Sequence, residues 1–318
     1  MIKVASIGEC MVELKQAQGD SQGGLYSRGY GGDTLNTAIY LARLGADVDY
    51  ITALGDDPMS DEMIAGWAAE GVGTSQVLRL PGKLPGIYLI RTDDAGERRF
   101  FHWRESAAAR RLMELPETDD ILASLASYDL IYLSAITLSL YGESGRGRLF
   151  AALRSAREAG ARVAFDTNFC VRGWPDLDIA RAVYRDAFAV ADIALASTED
   201  LLPQYAGESN DRLLARISST EAVLKLAVPA SIVRFEGVSH EVKAGPMTKP
   251  VVDTTAAGDS FAAAYIFARL AGADAVEAAR AGHRLASAVV CYPGAIIPRS
   301  AMPTDVMPRP ATSLGVSS

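Results

Sequence analysis

The chain has 318 residues, enough to bury the core of one large α/β domain or of a domain with a small appendage. Hydrophobic residues make up 49% and charged residues 22%, an ordinary balance for a soluble globular protein. The formal charge of −8 argues against a nucleic-acid partner, which requires a basic surface, so an anionic ligand would depend on local arginines.

Residues 2–7 form a short apolar run ending at Gly8, as expected of a buried first strand. Residues 9–14 alternate in part and read as an edge strand, and the polar, glycine-rich residues 16–28 as a loop or hairpin. Gly31-Gly32-Asp33 precedes residues 34–44, where Leu35, Ala38, Ile39, Ala42 and Leu44 recur at helical spacing, with Gly45 as C-terminal cap. Residues 48–53 read as a strand and 59–69 as a helix. Residues 76–80, 86–91 and 98–103 are short β-rich runs with a turn at 93–96 and little helix between them. They predict a small sheet standing off the main domain. From residue 119 strands at 130–133, 162–165, 193–196 and 222–226 alternate with helices at 144–159, 178–190 and 211–218. Such alternation predicts a mainly parallel sheet covered on both faces. A hairpin through Gly237 follows, then two alanine-rich helices at 261–271 and 273–291. The tail at 303–318, rich in Pro, Ser and Thr, is expected to wrap loosely.

Cys10, Cys170 and Cys291 are far apart and form no CxxC pair, and His102, His240 and His283 are scattered. Neither a disulfide framework nor a metal cluster of these residues is expected. With no signal peptide at the start and no uncharged apolar run long enough for a membrane span, a cytoplasmic location is expected.

Residues 251–261 read Val-Val-Asp-Thr-Thr-Ala-Ala-Gly-Asp-Ser-Phe: strand end, tight turn of small residues, helix start. A helix N-terminus presents unpaired amides and a partial positive charge, and small residues let a phosphate approach them. Asp259 beside such a hole suits a base that takes a proton from a hydroxyl attacking phosphorus. As a mere helix-start residue it would leave the small-residue run and Asp253 unexplained. No P-loop and no GxGxxG follows a strand, so the phosphate site falls on this late turn. Gly8 and Asp253 would lie at carboxyl ends of strands, where ligands bind in such sheets.

Several motifs recur in order: Gly31-Gly32-Asp33-Thr34-Leu35-Asn36, Leu84-Pro85-Gly86-Ile87-Tyr88, Gly96-Glu97-Arg98, Trp103-Arg104 and Phe165-Asp166-Thr167-Asn168. With residues 253–261 and Tyr292-Pro293-Gly294-Ala295-Ile296-Ile297-Pro298-Arg299, they make the chain closely resemble the 2-keto-3-deoxygluconate kinases. These are ribokinase-like, phosphofructokinase B-type sugar kinases, and the resemblance runs from about residue 1 to 303. It implies a three-layer α-β-α kinase domain over 1–302, with a β-sheet lid drawn from about 9–30 and 76–104, and a tail at 303–318.

The resemblance also implies roles. Asp259 is the catalytic base, and the amides of Ala256, Ala257 and Gly258 form the anion hole. Gly32, Asp33 and Asn36 bind sugar hydroxyls, although Asp33 or Thr34 would also serve as a helix cap. Tyr88, His102 and Arg104 meet the carboxylate and keto end, arginine suiting a carboxylate because its fork binds two oxygens in a plane. For Arg104 a solvated strand face is the competing reading. Asn168, Lys225 and Ser287 join the turn amides at the nucleotide, and His283 either borders the adenine or lies on a helix surface. ATP brings Mg²⁺ on its phosphates, K⁺ or another monovalent cation sits near Asp253, and a homodimer forms through the lid.

Two departures from the family pattern stand out. An arginine expected near the sugar acid is Cys170, with Arg172 two residues on as a substitute if the loop repacks. A Lys-x-Gly-x-x-Gly near the nucleotide reads Lys225-Leu226-Ala227-Val228-Pro229-Ala230, which loses both glycines. The expected activity is ATP-dependent phosphorylation of 2-keto-3-deoxy-D-gluconate at its terminal hydroxyl, giving the 6-phosphate. The competing readings are a kinase for another sugar or sugar acid, such as fructose or keto-deoxygalactonate, and a sugar-acid binding protein with impaired kinase activity.

Overall fold

A computed structural model describes residues 1–16, 24–92, 98–247 and 249–306. The turn expected at 93–96 and tail residues 307–318 lie outside the described residues. Strand β1 (Lys3–Ile7) passes through Gly8-Glu9-Cys10 straight into β2 (Met11–Gln16), and β3 (Tyr26–Gly31) leads back into helix α1 (Asp33–Leu44). Gly45 closes α1 at φ 103°, a left-handed conformation that glycine adopts without a Cβ penalty. Then come β4 (Asp47–Gly55), α2 (Pro58–Ala69), the short β5 (Val72–Gly73) and β6 (Val77–Leu80), β7 (Ile87–Thr92) and β8 (Arg98–Trp103). Asp57 caps α2 by accepting from the amides of Met59 and Ser60, with Pro58 at the first helical position.

The second half alternates as expected. It runs through α3 (Thr118–Ser124), β9 (Leu130–Ser134), α4 (Ala135–Leu140), α5 (Glu143–Glu158), β10 (Arg162–Asp166) and α6 (Leu177–Val190). It continues through β11 (Ile193–Ser197), α7 (Thr198–Leu201), α8 (Asn210–Ala215), β12 (Glu221–Lys225), β13 (Ala230–Phe235) and β14 (Val238–Lys243). Two helices, α9 (Ala257–Leu270) and α10 (Ala275–Val289), close the fold.

The main sheet has the order β14-β13-β12-β11-β10-β9-β1-β4-β5, parallel from β12 through β5, with β13 and β14 antiparallel at one end. Alternate strand residues feed two separate cores. Val4, Leu130, Tyr132 and Ala164 face the layer holding α1, α9 and α10, whereas Ala5, Ile131, Leu133 and Phe165 face the layer holding α5 and α6. This is the three-layer α-β-α arrangement expected, and its near-continuous apolar strands follow from burial on both faces.

The small sheet has the order β3-β2-β7-β8. Residues 76–80, expected with that sheet, pair instead with β4: β6 runs parallel to it from Thr52↔Val77 to Gly55↔Leu80. The half-buried Leu78 and Leu80 pack on the main core, which outweighs their sequence proximity to the strands of the small sheet. The start of the tail is also packed rather than loose: Val306 is buried, and its carbonyl accepts from Arg284 Nε and Nη2. Among the described residues no helix is long and apolar enough to cross a membrane.

Candidate active site

The carboxyl ends of β1, β10 and β12, the start of α1, the turn before α9 and the base of the small sheet converge on one cleft. At the turn, Asp253 Oδ1 accepts from the amide of Thr255 at 3.0 Å and from its hydroxyl at 2.6 Å. Oδ2 accepts from the Gly294 amide at 3.1 Å and faces Lys15 Nζ, on β2, at 3.5 Å. Asp253 thereby binds the turn to the chain beyond α10 and to the small sheet. Ala256, the N-cap of α9, is held at φ 59° and ψ 17°, where a side chain crowds the backbone. The Ala257 amide donates to Thr254 O at 3.2 Å, so this member of the expected anion hole is already engaged. Among the described residues the amides of Gly258 and Asp259 make no hydrogen bond, as first-turn amides of a helix do.

Asp259 keeps a partly exposed edge while the bulk of its carboxyl is enclosed, as at the floor of an open cleft. Asn36 Nδ2 donates to its Oδ2 at 2.8 Å, and Thr37 Oγ1 donates to its backbone carbonyl at 3.2 Å. Two successive residues of α1 thus hold the first turn of α9. Burial raises the Asp259 pKa well above the usual carboxylate range, and the Asp33 and Asp166 charges add to it, opposed by the Asn36 hydrogen bond and Lys225. Burial raises Asp33 as well; Asn168 Nδ2 donates to its Oδ2 at 3.0 Å. No side-chain cap bond forms at the start of α1, so Asp33 does not serve there as the expected cap.

Lys225, at the end of β12, places Nζ 3.1 Å from Asp166 Oδ2 and 3.4 Å from where a Cβ on Gly258 would stand. Burial pushes Asp166 up to about 6 even though Lys225 pulls it down. Burial alone would lower the Lys225 pKa, but Asp166, Asp200 and Asp259 outweigh it and hold the ammonium charged. In the sequence Asp166 stands within a motif without a role of its own, because its acid–lysine pairing spans two strands separated by β11.

Gly31 and Gly32, ahead of α1, are closely packed. A Cβ on Gly32 would fall 2.2 Å from Glu9 O, and one on Gly31 2.1 Å from Tyr88 Oη. On the small sheet Tyr88, His102 and Phe100 form one row, Tyr88 and His102 stacking at 5.9 Å between centroids. The Tyr88 hydroxyl donates to Glu13, and burial followed by the Glu13 charge raises its pKa. Burial, then the charges of Arg104 and Arg172, lowers His102. Arg104 lies just past β8 and is largely buried against Glu9, not part of a solvated strand face.

Arg172 Nη1 donates to Phe100 O at 3.0 Å, joining the loop after β10 to the small sheet's edge strand. Ser287 is half-buried on α10, one turn ahead of Val290, whose carbonyl accepts from the Val252 and Asp253 amides. His283 is buried rather than on a helix surface, with Nε2 3.0 Å from Ser231 Oγ and 3.1 Å from Val242 O. Its ring packs edge-on against Phe261 of α9, 5.0 Å between centroids, on the buried face of α10. The lost glycines at Ala227 and Ala230 cost no strain. Among the described residues the only non-glycine positive φ values are at Glu236 and Ala256, and a compact turn joins β12 to β13 through Leu226 N to Ala230 O at 2.9 Å.

A hollow of about 390 Å³ lined by Tyr128, Asp129, Arg162 and Leu270 opens at the opposite end of the sheet and contains none of these residues.

Comparison with known proteins matches a model described as pfkB family carbohydrate kinase to residues 1–302. A 2-dehydro-3-deoxygluconokinase of Dickeya dadantii (strain 3937) is 45% identical over 309 residues, spanning 94% of this chain and 98% of that protein. Among solved structures, a 2-dehydro-3-deoxygluconokinase from Thermotoga maritima superposes with a TM-score of 0.81 at 24% identity, over 93% of this chain and 96% of that one. A fructokinase with bound ATP from Xylella fastidiosa gives 0.79 at 22% identity, over 95% of each chain. At such identities these two structures bear on the fold.

Proposed function

The chain belongs to the pfkB family of carbohydrate kinases, and from that premise we propose that it phosphorylates 2-dehydro-3-deoxygluconate (2-keto-3-deoxygluconate) at its terminal hydroxyl at the expense of ATP. The observation that carries the reading is Asp259: a carboxylate oriented through one oxygen by Asn36, with raised proton affinity, beside unengaged helix amides. Asn36 occupies Oδ2, so Oδ1 is left to accept the sugar hydroxyl's proton as that oxygen attacks phosphorus. The amides of Gly258 and Asp259, with Lys225 beside them, lie where negative charge gathers on the transferring group. The Ala257 amide is engaged within the turn, so of the expected hole at residues 256–258 the amides of Ala256 and Gly258 are left, joined by that of Asp259.

The sugar's hydroxyls meet Asp33 and Asn36 over the Gly32 backbone, Asn168 bridging from the nucleotide side through Asp33. Arg104, with Tyr88 and His102, receives the carboxylate and keto end. Arg172 acts through the lid strand rather than by direct contact, and Ser287 borders the nucleotide. Among the described residues no group of three or more His, Cys, Asp and Glu side chains is arranged to hold a metal. Mg²⁺ would arrive on the phosphates of ATP, where it would neutralise developing charge. A monovalent cation near Asp253 would share that carboxylate with the Gly294 amide and the Lys15 ammonium at Oδ2.

The small sheet serves as a lid that excludes water from the transfer. Its open edge, β8, exposes Phe101 and Trp103, and a second copy pairing there would cover them, giving a homodimer measurable by sedimentation. Three unpaired cysteines fit a cytoplasmic location. The activity is tested by a coupled ADP-release assay on a panel of sugar acids and neutral sugars. Fastest turnover is expected with 2-dehydro-3-deoxygluconate; equal or greater kcat/KM with fructose would assign the acceptor wrongly, and ATP binding without turnover would favour a binding protein.

A further inference from the structure

Glu9 takes no part in the phosphoryl chemistry, yet it is among the most completely buried acids of the chain. It lies on the three-residue passage from β1 to β2, where the main sheet hands over to the lid, and it is 2% exposed. Its carboxylate stands against Arg104 Nη2, whose side chain is 12% exposed. Neither carboxylate oxygen nor Arg104 Nε and Nη2 has a hydrogen bond of ordinary geometry. Buried ionic groups are normally saturated with hydrogen bonds, and an incompletely satisfied pair is a poor means of stabilising a fold. The pair is nevertheless built in tightly. A Cβ on Gly86 would fall 3.1 Å from Arg104 Cβ and 3.2 Å from Glu9 Oε1, and Gly32 packs on the Glu9 carbonyl. Asp33, on the sugar side, is coupled electrostatically to both partners, and His102, on the lid side, to Arg104.

We propose that Glu9 is a positioning residue for substrate recognition, holding the Arg104 guanidinium inside the cleft with donors left over for the carboxylate of the sugar acid. The proposal rests on the reading of Arg104 given above. A free arginine of this length extends to solvent, where its head is best hydrated. The buried carboxylate keeps it inward before the substrate arrives, so less conformational freedom is lost on binding. Because the pair joins the root of β2 to the end of β8, the same contact sets the guanidinium's height relative to Asp33.

Steady-state kinetics of Glu9→Gln, Arg104→Ala and the double variant test this. Glu9→Gln keeps the shape and is expected to raise KM for the sugar acid roughly tenfold, leaving kcat and KM for ATP within about twofold. Arg104→Ala should raise the same KM further, and adding Glu9→Gln to it should do nothing more, since Glu9 acts only through the arginine. Glu9→Asp, which keeps the charge at shorter reach, should fall between wild type and Glu9→Gln. A structural bolt would behave otherwise, lowering Tm and kcat for any acceptor with additive effects in the double variant, and that pattern overturns the proposal. An unchanged KM in Glu9→Gln overturns it too, provided Arg104→Ala raises KM. If Arg104→Ala itself leaves KM for the acid unaltered, the assignment of Arg104 to the carboxylate fails, and this inference fails with it.

Discussion

Replacing Asp259 by asparagine should move activity and stability in opposite directions. The substitution keeps the shape and leaves an oxygen to accept from Asn36 Nδ2, now at 2.8 Å, but it removes the proton acceptor. Positioned general bases contribute about 10²–10⁴-fold to rate, so kcat should fall by roughly that factor with little change in either KM. The fold, by contrast, should gain. The folded-state pKa of Asp259 is raised by burial and by Asp33 and Asp166, so the native chain binds a proton more tightly than the unfolded one. The wild type is then relatively most stable below the ordinary aspartate pKa and loses stability as pH rises through the elevated folded value. Each pK unit between the two states is worth ~1.4 kcal/mol. The gain of Asp259→Asn over wild type should thus be near zero in acid and grow with pH; at neutral pH about 1 kcal/mol would raise Tm by ~2 °C. Melting curves from pH 4 to pH 8 (roughly the span of carboxylate titration) beside single-turnover assays give both readings. Retention of more than about a tenth of wild-type kcat would refute the base assignment. A loss of stability at neutral pH would refute the electrostatic account of the site.

Other substitutions probe the neighbouring supports. In the wild type, kcat/KM should fall as pH drops through the elevated Asp259 value, since only the ionised form accepts a proton; a flat profile across the acid range in the coupled assay would contradict this. Ala256→Gly should stabilise the chain by about 1 kcal/mol in chemical denaturation, because Ala256 sits at φ 59°, while turnover stays near wild type. Lys225→Met strips Asp166 of the ammonium 3.1 Å away, and loss of a partner from a buried pair costs ~3–5 kcal/mol; KM for ATP should rise alongside the fall in Tm. Lys15→Met removes the partly exposed contact between the lid and Asp253 at 3.5 Å. Such pairs are worth ~0.2–1 kcal/mol, so ATP hydrolysis without acceptor should increase only up to about fivefold over phosphoryl transfer. An unchanged ratio would mean that Lys15 does not restrain the lid.

Much of this was legible before any coordinates. Alternating apolar strands and helices from residue 119 onward specify a parallel sheet, because a strand buried on both faces has no polar side to show. The run Asp253-Thr254-Thr255-Ala256-Ala257-Gly258-Asp259 announces a helix start with an acid beside it, because turn chemistry is local. Other features were out of reach for an equally physical reason. Residues 76–80 read as a lid strand, since β propensity says nothing of the partner; the apolar contacts of Leu78 and Leu80 assigned β6 to the main sheet. The helix-surface alternative for His283 fails because a single polar side chain does not report how its helix is rotated; the residue packs against Phe261 and turns inward to Ser231.

The sequence by itself determined the architecture, the place of the turn before α9 and the acid in that helix's first turn. These follow from periodicity and from residue types that act within a few positions of one another. Only the tertiary structure decided which polar side chains meet: Asp259 with Asn36, Asp166 with Lys225, Lys15 with Asp253 and Glu9 with Arg104. Each of those pairs joins segments far apart in the chain. Whether two charges meet depends on how strands order and helices rotate, and that is settled by packing a whole core rather than by any local stretch.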